Sequence, residues 1–204
     1  HVMILMVSLH RFWRKLLTII RAANESDVQS IAEIYVDTWR STYAGILPDK
    51  VLIEMSVERQ MVIWARAIRH AGGEAEEKIL VIENEKNSIF GVSSCGYNRD
   101  RNKSYSGEVY SLYIHPDKQN QGYGEKLLGQ NFLYLTRQGF SEAIIWVLNM
   151  NPSRFFYEAM NGAKVGEREE RLWGTVVKEI AYGWPDLKIS LDRGRPKLLR
   201  PKYN

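Results

Sequence analysis

Residues 108–148 constrain the fold more tightly than any other stretch. An apolar run over 108–114 enters a polar loop holding Pro116. Gly122 and Gly124 then open a helix predicted over 122–138, with Leu128, Phe132 and Leu135 on its buried side, and a second apolar run follows over 143–148. Strand, helix and strand in that order predict two parallel neighbours joined by a right-handed crossover.

The flanking segments call mainly for antiparallel pairing. A first strand is predicted over 17–21. Ser26-Asp27-Val28-Gln29 fits a capping box, opening a helix with Val28, Ile31, Ile34 and Tyr35 at apolar spacing and continuing to Trp39. Gly45 and Pro48 mark a turn over 43–48, before a short helix over 49–55. Ser56 caps the next helix, which runs to about His70 with Met61, Trp64, Ala65 and Ile68 on one face, and Gly72-Gly73 stops it. Strands over 79–83 and 89–97 flank a hairpin turn at Asn84 to Asn87. After a polar loop over 98–106 and the central unit come a helix over 152–160, with proline in its first turn, and strands over 164–170 and 175–184. The pattern predicts an α/β (α+β) domain with a mixed, mostly antiparallel sheet and one parallel pair.

Charge and cysteine usage narrow the function class. The chain's net charge of +4 equals the net charge of residues 192–204, where Arg193, Arg195, Lys197, Arg200 and Lys202 oppose one Asp192. The body therefore sums to zero, and the basic balance is a tail property that argues weakly for nucleic acid. One cysteine among 204 residues forms no intrachain disulfide and, with four histidines, supplies no Cys-rich zinc site, so no metal is expected. At the start, His1-Val2 ahead of Met3 reads as a scar. The apolar run over 3–9 is followed by its basic residues instead of preceded by them, the wrong order for a signal peptide, and is too short to span a bilayer. The expectation is a cytoplasmic protein without membrane contact: an extension over 1–16, one domain over 17–191 and a basic tail over 192–204.

The chemistry concentrates where the glycines meet the helix. A helix N-terminus exposes unpaired N–H groups and the positive end of a dipole, and glycine lets the backbone approach an anion closely. A pyrophosphate is a natural guest. The segment is not a Walker A loop, because Glu125 follows Gly124, and not a dinucleotide fingerprint, because the third glycine position is Leu127. What remains is Gln119-x-x-Gly122-x-Gly124, a spacing that a ligand-free, glycine-assisted helix start would fit equally well.

This segment, with the Pro-containing turn before it, closely resembles the coenzyme A loop of the GNAT family (GCN5-related N-acetyltransferases). The resemblance runs in order along about 17–187. Arg21-Ala22-Ala23 and the stretch from Thr38 through Trp39, Tyr43 and Pro48 resemble the first strand and helix of one branch, of the small-molecule or polyamine type. Residues from Asn151 through Tyr157 and Glu158 resemble the family's second signature, and Glu179 to Trp184 its closing strand. The resemblance implies the GNAT fold, with the sheet splayed at its parallel pair and acetyl-CoA in the gap as co-substrate.

It also implies roles residue by residue. The loop Gln119, Asn120, Gln121, Gly122, Tyr123 and Gly124 would bind the coenzyme's pyrophosphate. Leu112, Tyr113 and Ile114 would pair their backbone with the pantetheine arm, with an N–H there facing the thioester oxygen. Asn151 would hydrogen-bond the pantetheine, and Arg154, near it, would approach the coenzyme. Tyr157 matches the family's general acid, which protonates the leaving thiolate. Glu108 is the candidate base. By simple alternation it shares a face with Tyr110, Leu112 and Ile114, unless a bulge breaks the parity. Trp39 and Tyr43, four apart on one helical face, would line the acceptor pocket by analogy with the family, although such an aromatic stripe also suits a core.

The implied function is acetyl transfer from acetyl-CoA directly to a primary amine, with a homodimer as the family's frequent assembly. The acceptor stays open among polyamines, amino-acid-like molecules, antibiotics, and a peptide N-terminus or lysine. Two readings from other classes also stand: a coenzyme-binding or protein-interaction module without catalysis, and a GNAT body with the basic tail as a nucleic-acid arm. Cys95 reads as core, His115 before Pro116 as a turn residue, and neither Gly-x-Ser-x-Gly nor His-x-x-x-Asp occurs.

Overall fold

The computed structural model describes residues 18–71, 77–99, 104–172 and 174–193. The N-terminal extension, Gly72-Gly73 and the chain beyond 193 lie outside the described residues. Seven strands form one sheet: β1 (Ile19–Ala22), β2 (Lys78–Glu83), β3 (Ile89–Tyr97), β4 (Gly107–Ile114), β5 (Ala143–Leu148), β6 (Ala163–Leu172) and β7 (Thr175–Trp184). Their spatial order is β1-β2-β3-β4-β5-β7-β6. Every neighbouring pair is antiparallel except β4 and β5, as expected for the strand–helix–strand unit.

Helices cover both faces. On one lie α1 (Val28–Tyr43), α2 (Asp49–Glu54) and α3 (Val57–His70). Ile31 and Ile34 of α1 and Trp64 and Ile68 of α3 pack there on Val81 and Val92. On the other face lie α4 (Tyr123–Arg137), the short α5 (Arg154–Ala159) and α6 (Leu187–Arg193). Leu128, Phe132 and Leu135 of α4 meet Cys95, Val109, Ile145, Tyr182 and Trp184 there. The 3.6-residue and two-residue periodicities thus fill both cores. Among the described residues no helix is long and apolar enough to cross a membrane.

Two local expectations shift. The N-cap box falls on Asn24 instead of Ser26: the Asn24 side chain accepts from Ser26 N, and Asp27 accepts from Asn24 N. A single 3₁₀ turn, Glu25–Asp27, precedes the helix and carries the cap back with it. Helix α1 also runs past Trp39 to Tyr43. The Ser56 cap stands, its hydroxyl accepting from Arg59 N at 3.2 Å.

The bulge that would spoil the alternation of β4 is present. Ser94 pairs with Ser111, but the next residue, Cys95, pairs with Val109, which leaves Tyr110 unpaired. Val109, Leu112 and Ile114 therefore turn toward α4, whereas Tyr113 packs against α1. Glu108, adjacent to Val109, falls on the Tyr113 face. The sharing of one face by Glu108, Leu112 and Ile114 is overturned, because the extra residue inverts the register.

The outer strands are tied down by Arg21 of β1. Its guanidinium forks onto Asp27 at 2.6 and 2.9 Å and reaches Glu83 of β2 at 2.8 Å. Both carboxylates are buried. Burial pushes Asp27 up, but Arg21 and the Asn24 N–H outweigh it and leave its pKa below the ordinary value. A carboxylate with a depressed folded-state pKa adds stability above its unfolded pKa and loses it as pH falls through the folded value. Arg21→Ala is therefore expected to lose about 3 kcal/mol near neutral pH. That deficit should shrink toward pH ~3–4, as denaturant melts of both proteins across pH would show.

Candidate active site

Between the two strands of the parallel pair the sheet opens. Only Gly107–Ala143 and Glu108–Ile144 pair; beyond them β4 and β5 diverge. A cleft of about 720 Å³ fills the gap, lined by Leu112 and Ile114 of β4, Gln119, Asn120, Gly122, Gly124 and Glu125 of the loop, and Tyr157 of α5.

Local chemistry builds the loop. Pro116–Lys118 form a 3₁₀ turn, with His115 Nδ1 accepting from Asp117 N at 3.3 Å, so His115 is the turn residue the sequence suggests. Gln119 Nε2 donates to Ile114 O at 3.0 Å and Gln121 Nε2 to Asp117 O at 3.1 Å. These bonds spend both amide side chains on shaping the loop. Asn120 (φ 57°) and Gly122 (φ 82°) both adopt the left-handed conformation, which for residues other than glycine costs about 1–2 kcal/mol. The backbone N–H groups of Asn120, Gln121 and Gly122 donate to no acceptor among the described residues. Three such donors just ahead of a fifteen-residue helix, without an acceptor among the described residues, form a cradle-like arrangement that can receive an anion.

Tyr157 closes the far end. The short α5 is pressed on β7, with Tyr182 and Trp184 beside the Tyr157 ring. Gly162 permits this approach: a Cβ there would meet Trp184 at 2.8 Å and Tyr157 O at 2.9 Å. The Tyr157 hydroxyl bonds to nothing among the described residues. Burial, then the phenols of Tyr113 and Tyr43 nearby, push its pKa well above the ordinary tyrosine value. It stays protonated, as a proton donor must.

The remaining candidates divide. Leu112 and Ile114 line the cleft, and Tyr113 points away into the α1 side, with Trp39 Nε1 donating to its hydroxyl at 3.4 Å. Tyr123 is buried against Phe90. Asn151 lies at the loop before α5, with its Nδ2 donating to the Tyr43 hydroxyl at 2.7 Å and its Oδ1 accepting from Ser153 N. Arg154 stacks on Phe155, which lines the cleft. Trp39 and Tyr43 do not line the cleft; both are buried with Leu47, Leu52 and Leu148. The helix instead presents Thr38, Ser41 and Thr42 to it. That stripe at i, i+3 and i+4 is the signal the sequence reading missed.

Glu108 is also kept from the cleft. Its Oε2 accepts from Arg99 N at 2.8 Å and its Oε1 from Arg99 Nη2 at 2.7 Å. It lies four residues before Leu112 on the opposite face of β4. Among the described residues no group of three His, Cys, Asp or Glu is gathered as a metal would require.

Known proteins carry the same architecture. The family profile of the acetyltransferase (GNAT) domain matches residues 75–161. An uncharacterised N-acetyltransferase, YuaI, of Bacillus subtilis (strain 168) is 34% identical over 169 residues, covering 82% of this chain and 93% of the relative. Among solved structures, the PaiA N-acetyltransferase of Thermoplasma acidophilum in complex with coenzyme A superposes with a TM-score of 0.62 at 18% identity, over 80% of this chain and 97% of that one. A mutant of the spermidine N-acetyltransferase SpeG of Vibrio cholerae gives 0.63 at 16% identity, over 88% and 99%.

The cradle can be tested on the purified protein. Gly122→Glu sets a carboxylate among the free N–H groups and strains a left-handed position. Calorimetric titration with coenzyme A is expected to show binding by the wild type and none by a variant that still melts cooperatively. Equal binding by both would remove the anion from this loop. The strand order, the splayed parallel pair, the glycine-opened helix and a relative at one-third identity lead to one assignment: the chain belongs to the GNAT family, as an acetyl-CoA-dependent N-acetyltransferase.

Proposed function

We propose that this enzyme acetylates a primary amine of a small molecule, with the reaction centred where Tyr157 meets the cleft. The observation that carries the reading is the joining, in one cleft, of a row of unpaired N–H groups at one end and an unbonded, protonated phenol at the other. The N–H groups of Asn120, Gln121 and Gly122 suit a pyrophosphate, with Gln119 shaping the loop. The divergence beyond Glu108–Ile144 leaves room for the pantetheine arm along Leu112, Tyr113 and Ile114. Asn151 steadies the lip through Tyr43 and still has a second Nδ2 hydrogen to offer. Arg154 and Tyr123 support the walls.

The chemistry asked of these residues is modest. A neutral amine nitrogen attacks the thioester carbonyl, a C–N bond forms and the C–S bond breaks. A β4 backbone N–H stabilises the developing oxyanion, and Tyr157 gives its proton to the departing thiolate. The amine's own proton must leave separately. Both oxygens of Glu108 already accept from Arg99, so as a base it would act through water. The acceptor enters from the face of α1 and α2. The spermidine specificity named for SpeG supports a small polar amine as the class.

Tyr157→Phe is expected to lower kcat by roughly 10²-fold or more while the affinity for coenzyme A stays unchanged. Glu108→Gln should lower kcat less, because bulk water and buffer can take the amine's proton in its place. Steady-state rates with acetyl-CoA and a panel of primary amines, beside calorimetric titration, measure both. A Tyr157→Phe variant with full kcat would overturn the reading.

A further inference from the structure

Resting on the reading that a small amine is the acceptor, we propose that Glu179 is the anchor for a second, non-reacting ammonium group of that acceptor. Glu179 lies in β7 on the sheet face away from α4. The register sets it between Leu148 of β5 and Arg168 of β6. Leu148 packs with Trp39, Tyr43 and Leu47, and Val177, two residues before Glu179 on the same face, packs on the same group. The carboxylate thus stands beside the aromatic wall whose Tyr43 hydroxyl is bonded to Asn151 at the lip of the coenzyme cleft.

The side chain is enclosed but not sealed, at 14% exposure. Its Oε2 accepts from Arg168 Nε at 2.7 Å, and its Oε1 accepts from none of the described residues. Arg168 in turn lies over the Trp146 ring at 4.1 Å. Trp146 crosses the sheet above Gly166 and Ala181, two residues small enough to leave it there. The result is a carboxylate with one open oxygen, held still by a stacked guanidinium in a poorly screened setting.

Glu108, another carboxylate on that face, does not offer this. Both oxygens of Glu108 already accept from Arg99, and the residue is 2% exposed. Nor does Glu179 suit the reacting nitrogen. A carboxylate raises the pKa of an ammonium it holds, which opposes the proton loss that attack demands. It suits the far end of a diamine, whose charge is kept throughout the reaction. Its neighbour Tyr43 already registers the carboxylate: after burial and Tyr113, the charge of Glu179 adds to the upward shift of that phenol.

Acetyl transfer by the full chain from saturating acetyl-CoA to diaminobutane and to butylamine tests the anchor. The wild type is expected to show a lower KM for the diamine. Glu179→Gln should raise that KM about tenfold or more, leaving the KM values for butylamine and acetyl-CoA unchanged. Arg168→Gln, which breaks the ion pair but keeps the carboxylate, should retain the diamine preference. Equal loss of both amines in Glu179→Gln, or loss of the preference in both variants, would mark the pair as a fold clamp and overturn the proposal. A wild type that acetylates both amines alike also sinks the anchor while leaving the acetyltransferase reading intact. A wild type that binds acetyl-CoA and acetylates neither amine sinks the small-amine reading, and the anchor with it.

Discussion

Two residue pairs, Gly107 with Ala143 and Glu108 with Ile144, hold β4 and β5 together, and the site depends on their being so few. A sheet that stayed zipped would have no cleft. Past those pairs the two strands seek different partners: β4 continues against β3, and β5 against β7. Each strand keeps one long paired edge, interrupted in β4 only by the bulge at Tyr110, and past Glu108 and Ile144 the two inner edges no longer pair with each other. Unpaired backbone at that depth is tolerated where something polar can satisfy it. The amides of the proposed pantetheine arm would be such partners.

The bulge at Tyr110 works with the splay. One extra residue in β4 exchanges the faces of what precedes and follows it. Leu112 and Ile114 line the cleft, while Tyr113 is carried to the other side and joins Tyr35 and Trp39. The strand thereby serves both faces at once, an apolar wall of the cleft on one and an aromatic core on the other. The Tyr110 side chain secures the inserted residue: its hydroxyl donates to Tyr97 O at 2.7 Å, and Arg99 lies over its ring. The contacts that hold the bulge also consume Glu108.

Much of this was legible before any coordinates. The strand–helix–strand unit called for a parallel pair, which β4 and β5 form. The glycine pattern called for a glycine-opened helix, and Gly122 at positive φ precedes α4. Less legible was the direction each side chain takes. Trp39 and Tyr43 share a helical stripe, but whether that stripe faces a cavity or a core depends on which side of α1 meets the sheet. Thr38, whose hydroxyl reaches Ile114 O at 3.4 Å, shows that the polar stripe took the cleft. Glu108 looked available because nothing in the sequence couples it to Arg99, nine residues earlier and across a hairpin.

Local periodicity, turn residues and glycine placement set the elements, their order and the turn ahead of Gly122. The assembled sheet decided which carboxylate takes two donors and which, among the described residues, keeps an oxygen without one. Glu108 and Glu179 are both strand glutamates with an arginine near in sequence, and neither composition nor spacing separates them. Their difference arises from register: a backbone N–H and a guanidinium converge on one, and a single guanidinium nitrogen meets the other. Arg168 and Glu179 lie on different strands and Arg99 lies just past β3, and only the assembled sheet sets their distances.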